Sequence, residues 1–107
     1  MSDLLELVKQ SLGIVSTATA KDTELKMLIQ AGLDDMARAG VDVPDITELG
    51  VTIPALIKRA VVTYVKANFG ISNPTDKEKF LHSYQLVLAE LSLSENYKEV
   101  EDAGLNN

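Results

Sequence analysis

The sequence predicts an all-α protein: a small bundle of about four helices around an apolar third helix, followed by a mobile acidic tail. Three observations support this fold class. Four separate stretches place apolar residues at the i, i+3, i+4 spacing of one helix face. Glycine or an Asn-Pro pair stands at the ends of most of these stretches. No strand precedes a helix in the manner of a βαβ unit.

The length and composition indicate one domain. The chain has 107 residues, and its 46% of hydrophobic residues is enough for a single core. The apolar periodicity stops after Leu93, and residues 94–107 hold four acids and one base, a net charge of −3. We therefore predict a helical domain over residues 1–97 and a flexible acidic tail over residues 98–107. A core of this size gives modest stability, to which an oligomeric partner could add.

The first predicted helix runs from Leu4 to Leu12, with Ser2 or Asp3 as its N-cap, and Gly13 ends it. Its apolar stripe consists of Leu5, Val8 and Leu12.

The second predicted helix runs from about Thr23 to Ala39, after Asp22 as N-cap and before Gly40, which has the position of a left-handed C′ glycine. Its stripe consists of Leu25, Leu28, Ile29, Leu33, Met36 and Ala37. Asp34 and Arg38 have the i,i+4 spacing of a weak ion pair. Mid-helix Gly32 indicates either a close approach to another helix or simple tolerance of glycine.

The third predicted helix is the most apolar, so we expect it at the centre of the core. Pro54 suits its first turn and Gly70 closes it. Its stripe consists of Ile53, Leu56, Ile57, Ala60, Val61, Tyr64, Val65 and Asn68, widened by Val62 and Phe69. The fourth helix opens with Asn73 as N-cap and Pro74 at its first position, and its buried stripe consists of Phe80, Leu81, Tyr84, Val87, Leu88 and Leu91.

The residues that carry most enzyme chemistry are missing or badly placed. There is no cysteine, and His82 is the one histidine, on a polar helix face with no second histidine to complete a metal site. Asp34 and Asp35 are adjacent, so on a helix they point about 100° apart and do not converge. The six glycines are scattered singly and form no phosphate loop. We predict no catalytic, cofactor or metal site, and hence no enzyme.

The net charge of −6 argues against a protein that grips duplex DNA, because each phosphate contact needs a lysine or arginine. No apolar run approaches the roughly 20 residues that span a bilayer, and the acidic N-terminus does not have the charge pattern of a signal peptide. We therefore expect synthesis in the cytoplasm and no membrane partner.

Three bases on the less apolar side of the third helix, Lys58, Arg59 and Lys66, are the candidate contact residues. One interpretation is a basic strip that contacts an acidic neighbour or a phosphate backbone. The other is an ordinary solvent-exposed face of a helix that is otherwise buried. We predict a modest role in subunit contact. On a phosphate backbone the same strip would make the chain a small helical DNA-binding protein, either packaging-associated or regulatory, and this is the alternative function.

Three stretches of the chain are distinctive: Leu4 to Leu12, Leu28 to Ala31 with Arg38 to Val41, and Leu56 to Gly70 with the following Asn73-Pro74. They resemble the small head–tail connector proteins, also called adaptor or head-completion proteins, of long-tailed double-stranded DNA bacteriophages. An aromatic-rich helix from Phe80 to Leu91 and the segment to Tyr97 extend the likeness.

This resemblance implies a structural virion protein without cofactor. It implies a closed ring of roughly a dozen copies with head-to-tail contacts, beneath the portal protein at the capsid vertex. Such a ring extends the DNA channel, lets DNA pass without sequence-specific binding, and docks tail-completion or stopper proteins. An acidic surface is compatible with that role, because it would not bind the phosphates of sliding DNA.

Overall fold

A computed structural model of the protein describes residues 2–45, 52–70 and 74–93. Over these ranges the chain forms four α-helices and no β-strand: α1 Ser2–Leu12, α2 Asp22–Arg38, α3 Ala55–Asn68 and α4 Pro74–Leu93. The all-α prediction is confirmed. No helix in these ranges is both long and apolar enough to cross a lipid bilayer. The predicted acidic tail and the predicted N-cap Asn73 lie outside the described residues.

Glycine ends α2 in the way that its position predicts. Gly40 has a φ of 92°, in the left-handed region that glycine adopts without a Cβ clash. Its N–H donates to the carbonyl of Ala37 at 3.1 Å, and the N–H of Val41 donates to that of Met36 at 3.1 Å. These are the two hydrogen bonds of a Schellman motif, and Val41 and Met36 are both buried beside them. The chain therefore enters the core at Val41, directly after the turn.

Helix α3 lies at the centre of the bundle, as its apolar sequence predicts. It packs against each of the other three helices, while α1 and α2 also pack against each other. The buried core is drawn from all four helices and the adjoining loops: Leu4, Leu5, Val8, Leu25, Ile29, Leu33, Met36, Val41, Ile53, Ile57, Ala60, Val61, Val65, Tyr84, Val87 and Leu91. Helix α4 packs mainly on α3, and a groove open to solvent runs between one side of α3 and one side of α4.

Gly32 marks a close approach between helices, which decides between the two explanations that the sequence left open. A Cβ atom built on Gly32 would lie 3.0 Å from Cδ1 and 3.2 Å from Cγ of Tyr64 on α3. The Tyr64 ring in turn makes an edge-to-face contact with Tyr84 on α4, with the ring centroids 5.2 Å apart. The missing side chain of Gly32 thus makes room for an aromatic pair that joins α2, α3 and α4.

Some details differ from the sequence-based predictions. Asp22 is the first residue of α2 and not its N-cap, a position that Lys21 occupies without a side-chain hydrogen bond. Ala37 and Asn68, expected on the apolar stripes, are exposed. The Asn68 side chain donates instead to the carbonyl of Tyr64 at 2.8 Å. Both residues lie at the edge of their stripe near the C-terminal end of a helix, where the neighbouring helices do not cover them.

Candidate functional site

A depression suited to a partner lies between α3 and α4, and we call it the α3–α4 groove. It is open to solvent and has a volume of about 350 Å³. Its walls are formed by Arg59, Val62, Thr63 and Lys66 of α3 and by Phe80, Ser83, Leu86, Val87 and Glu90 of α4. Its walls therefore combine apolar, polar and charged side chains.

Two of the three predicted contact residues lie in this groove and the third does not. Arg59 and Lys66 are seven residues apart on α3, so they share one face of the helix. Lys58 is exposed but does not line the groove, because adjacent helical residues point about 100° apart. The predicted basic strip is therefore divided into a pair that faces α4 and a separate lysine.

The base at one end of the groove lies against an aromatic ring. Lys66 Nζ is 5.8 Å from the centroid of the Phe80 ring, within the range of a cation–π interaction. Thr63, between the two bases, donates its hydroxyl to the carbonyl of Arg59 at 2.8 Å. Glu90 contributes a carboxylate at the other wall. The groove thus offers two bases, one acid and apolar surface.

The α4 wall of the groove includes Leu86, a large apolar residue that is exposed to solvent. Its side chain is 60% exposed although it adjoins the half-buried Phe80 and the buried Val87. Leu93, seven residues farther along α4, is 78% exposed. Residues seven apart share one helix face, so the C-terminal half of α4 exposes two apolar side chains on one side, and the first of them lines the groove. Surfaces that combine apolar side chains with a charged rim are typical of sites where proteins bind each other.

A second polar feature joins helices that are distant in sequence. The Tyr84 hydroxyl on α4 donates a hydrogen bond to Asp35 Oδ2 on α2 at 2.5 Å. The other carboxylate oxygen, Asp35 Oδ1, lies 3.7 Å from Arg38 Nη2. The prediction of an ion pair between Arg38 and Asp34 was wrong, because Arg38 lies near Asp35 instead. Asp34 Oδ1 accepts a hydrogen bond from the side chain of Gln30 at 3.0 Å. Burial, followed by the hydrogen bond to Asp35, raises the pKa of Tyr84 well above its usual range. The phenol is therefore a hydrogen-bond donor at neutral pH.

A third polar feature was absent from the sequence-based predictions. Lys9 is only 2% exposed, and its Nζ lies 2.9 Å from Asp22 Oδ1 and donates to the carbonyl of Ser16 at 3.0 Å. Asp22 Oδ1 is within ion-pair distance but outside hydrogen-bond geometry, so the attraction is chiefly Coulombic. This contact ties the end of α1 to the start of α2 across the loop between them. In the sequence, the only sign of this buried contact was the position of Lys9 within an apolar stretch that ends in Gly13.

The described residues offer little to a metal ion. His82 is exposed on α4, as predicted. Within residues 2–45, 52–70 and 74–93 there is no group of three or more histidine, aspartate or glutamate side chains that could hold a metal. Of the features described above, the α3–α4 groove is the candidate site for a binding partner.

The comparisons with known proteins identify the family. A family model described as "Phage connector protein" matches residues 4–98. The matched range contains α2, α3 and α4 completely and nearly all of α1, and it includes every residue that lines the groove. No curated protein and no solved structure matches the chain. Because the family match covers most of the chain and agrees with the motifs noted in the sequence, this protein belongs to the phage connector protein family.

Proposed function

We propose that the protein is a ring-forming head–tail connector: a structural component of the virion that joins the capsid to the tail. The observation that supports this proposal most strongly is the family match over residues 4–98. In the proposed assembly roughly a dozen copies form a closed ring by head-to-tail contacts. The ring lies beneath the portal protein at the capsid vertex and provides the docking surface for tail-completion or stopper proteins.

The charge of the chain supports passage of DNA through such a ring. Sixteen acids against ten bases give a net charge of −6. A channel that bound phosphates would hold DNA, since each phosphate contact adds affinity by releasing counterions. An acidic ring extends the channel without sequence-specific binding and lets the DNA move.

The groove supports a role in protein contact and not in catalysis. Its nine lining residues include no nucleophile paired with a base, and its open shape would leave a small molecule largely exposed to water. We propose that the protein turns over no substrate and needs no cofactor. Its place of action is the capsid vertex and neck, after synthesis in the host cytoplasm.

Native mass spectrometry of the full-length protein over a wide concentration range tests this proposal. We expect discrete cyclic oligomers, either from the protein alone or after addition of purified portal protein. A protein that stays monomeric at every concentration and does not bind portal protein would contradict it.

The same samples test the alternative of a helical DNA-binding protein. That alternative needs Lys58, Arg59 and Lys66 to act together, whereas Lys58 lies outside the groove and Glu90 lies within it. A gel shift that is steeply salt-dependent and is lost in the triple alanine variant would favour DNA binding. Absence of a shift at low salt would reject it.

A further inference from the structure

The α3–α4 groove has the chemistry of a site for an acidic, partly apolar peptide. Arg59 and Lys66 stand on its α3 wall, and Phe80 and the 60% exposed Leu86 stand on its α4 wall. Covering exposed apolar surface favours a complex because it removes that surface from water. A partner segment that matches this groove must carry acids for the two bases and apolar side chains for the walls.

The C-terminal segment of this chain, residues 94–107, carries both. It contains the acids Glu95, Glu99, Glu101 and Asp102 and the apolar side chains of Tyr97, Val100 and Leu105. With Lys98 as its one base, its net charge is −3. The segment follows α4 directly in the sequence and lies outside the described residues.

The alternation of acidic and apolar residues in the segment suits a groove that has bases on its α3 wall and apolar side chains on its α4 wall. Arg59 and Lys66 are seven residues apart on a helix, which is about 10 Å along its axis. In an extended segment Glu99 and Glu101 lie on one face, about 7 Å apart, which the long side chains of Arg59 and Lys66 can span. Val100 then lies on the opposite face, toward the apolar side chains of the α4 wall.

The direction of α4 favours a neighbouring copy as the donor of the segment. The groove runs beside Phe80 to Glu90, and α4 continues beyond it to Leu93. The last described residue, Leu93, therefore lies beyond the end of the groove in its own copy. A segment on one surface and a groove on another also form a heterologous contact, which is the kind that closes rings.

We propose that the α3–α4 groove of each copy binds the C-terminal segment of the next copy, with Glu99 and Glu101 paired to Arg59 and Lys66. This inference rests on the proposed function, because it names the contact between copies of a ring. It assigns the acidic segment a role in assembly.

Charge reversal of two adjacent lysine and arginine positions gives a matched test. Arg59→Glu and Lys58→Glu change the net charge equally on neighbouring exposed positions of α3, but only Arg59 lines the groove. We expect Arg59→Glu to raise the midpoint concentration for assembly about tenfold at low salt, which corresponds to 1.4 kcal/mol. Lys58→Glu should change it less than about twofold, and the difference should shrink at high salt because screening weakens the attraction. Equal effects of the two variants would overturn the inference.

Cross-linking identifies which copy supplies the segment. The chain has no cysteine, so Ser83→Cys in the groove of one population and Val100→Cys in another give unique thiols for a short bismaleimide. Gln85→Cys, exposed on α4 outside the groove, replaces Ser83→Cys in the control. We expect links between copies from position 83 and not from position 85, in the assembled state that native mass spectrometry detects.

The remaining outcomes separate this inference from the proposed function. Rings that form without any link between positions 83 and 100 would overturn the inference and leave the connector function standing. A link within one chain of a Ser83→Cys/Val100→Cys variant at high dilution would show that each groove binds its own segment, which also overturns it. A chain that assembles neither alone nor on portal protein would overturn both.

Discussion

The hydroxyl of Tyr84 donates a hydrogen bond of 2.5 Å to the carboxylate of Asp35, 49 residues away in the sequence. Tyr84 is 2% exposed, whereas the Asp35 side chain is 37% exposed. The contact thus joins a buried phenol on α4 to a partly hydrated carboxylate on α2. Because α4 packs mainly on α3, it is one of the few described links between α2 and α4.

The variant Tyr84→Phe should lose about 1 to 2 kcal/mol of unfolding free energy, because a hydrogen bond to a charged acceptor disappears while the ring still packs. The loss stays small because water can solvate the partly exposed Asp35. Urea unfolding followed by circular dichroism measures it, with Gln85→Ala as a control on the exposed face of α4. Additive losses in Tyr84→Phe and Asp35→Ala would contradict a direct contact, since the double variant should lose less than their sum.

The same phenol predicts a loss of stability in alkali. The pKa of Tyr84 is raised in the folded protein, so the folded state favours the protonated phenol. Its stabilisation is complete below the unfolded pKa of about 10, and it is lost as the pH rises above that value toward the folded pKa. Urea unfolding between pH 8 and about 11 should therefore show a steeper decline for the wild type than for Tyr84→Phe. Parallel declines would exclude Tyr84 as the cause.

Gly32→Ala should destabilise the protein although alanine is the better helix former. Helix propensity favours alanine by about 1 kcal/mol. The new Cβ would lie 3.0 Å from the Tyr64 ring, which Tyr84 holds from another side, and overpacking of this kind costs about 1 to 3 kcal/mol. We expect a net loss of about 1 kcal/mol in urea unfolding. In a Tyr64→Ala background the same change should be stabilising; a loss of equal size there would exclude the ring as the cause.

Lys9→Met should cost about 2 kcal/mol, because it leaves the Asp22 carboxylate near the core without its cation. The side chain of Asp22 is 23% exposed, which keeps the loss below the 3 to 5 kcal/mol typical of fully buried pairs. Thermal unfolding measures the change. Lys26→Met, an exposed lysine of α2, is the control and should change stability by less than about 0.5 kcal/mol. A double variant Lys9→Met/Asp22→Leu should recover part of the loss.

Helix positions were largely predictable because they depend on local chemistry. Gly40 stops α2 by adopting a backbone conformation that other residues avoid, and this preference acts within one turn of the chain. The apolar spacing of Ile57, Val61 and Val65 likewise identifies α3 as the helix with the most surface to bury. The family resemblance could also be recognised from short stretches, and the match over residues 4–98 confirms it.

The composition of the groove could not be predicted from the sequence, because it depends on contacts between residues that are far apart in the chain. The sequence grouped Lys58 with Arg59 and Lys66, and only the packing of α4 on α3 encloses Arg59 and Lys66 in a groove and leaves Lys58 outside it. The same packing brings Tyr84 to Asp35, and the turn after α1 brings Lys9 to Asp22. By itself, then, the sequence determined the helices, the apolar faces and the family, because backbone preferences and hydrophobic periodicity act over a few residues. The tertiary structure alone decided which charges meet, because that depends on how whole helices pack to exclude water.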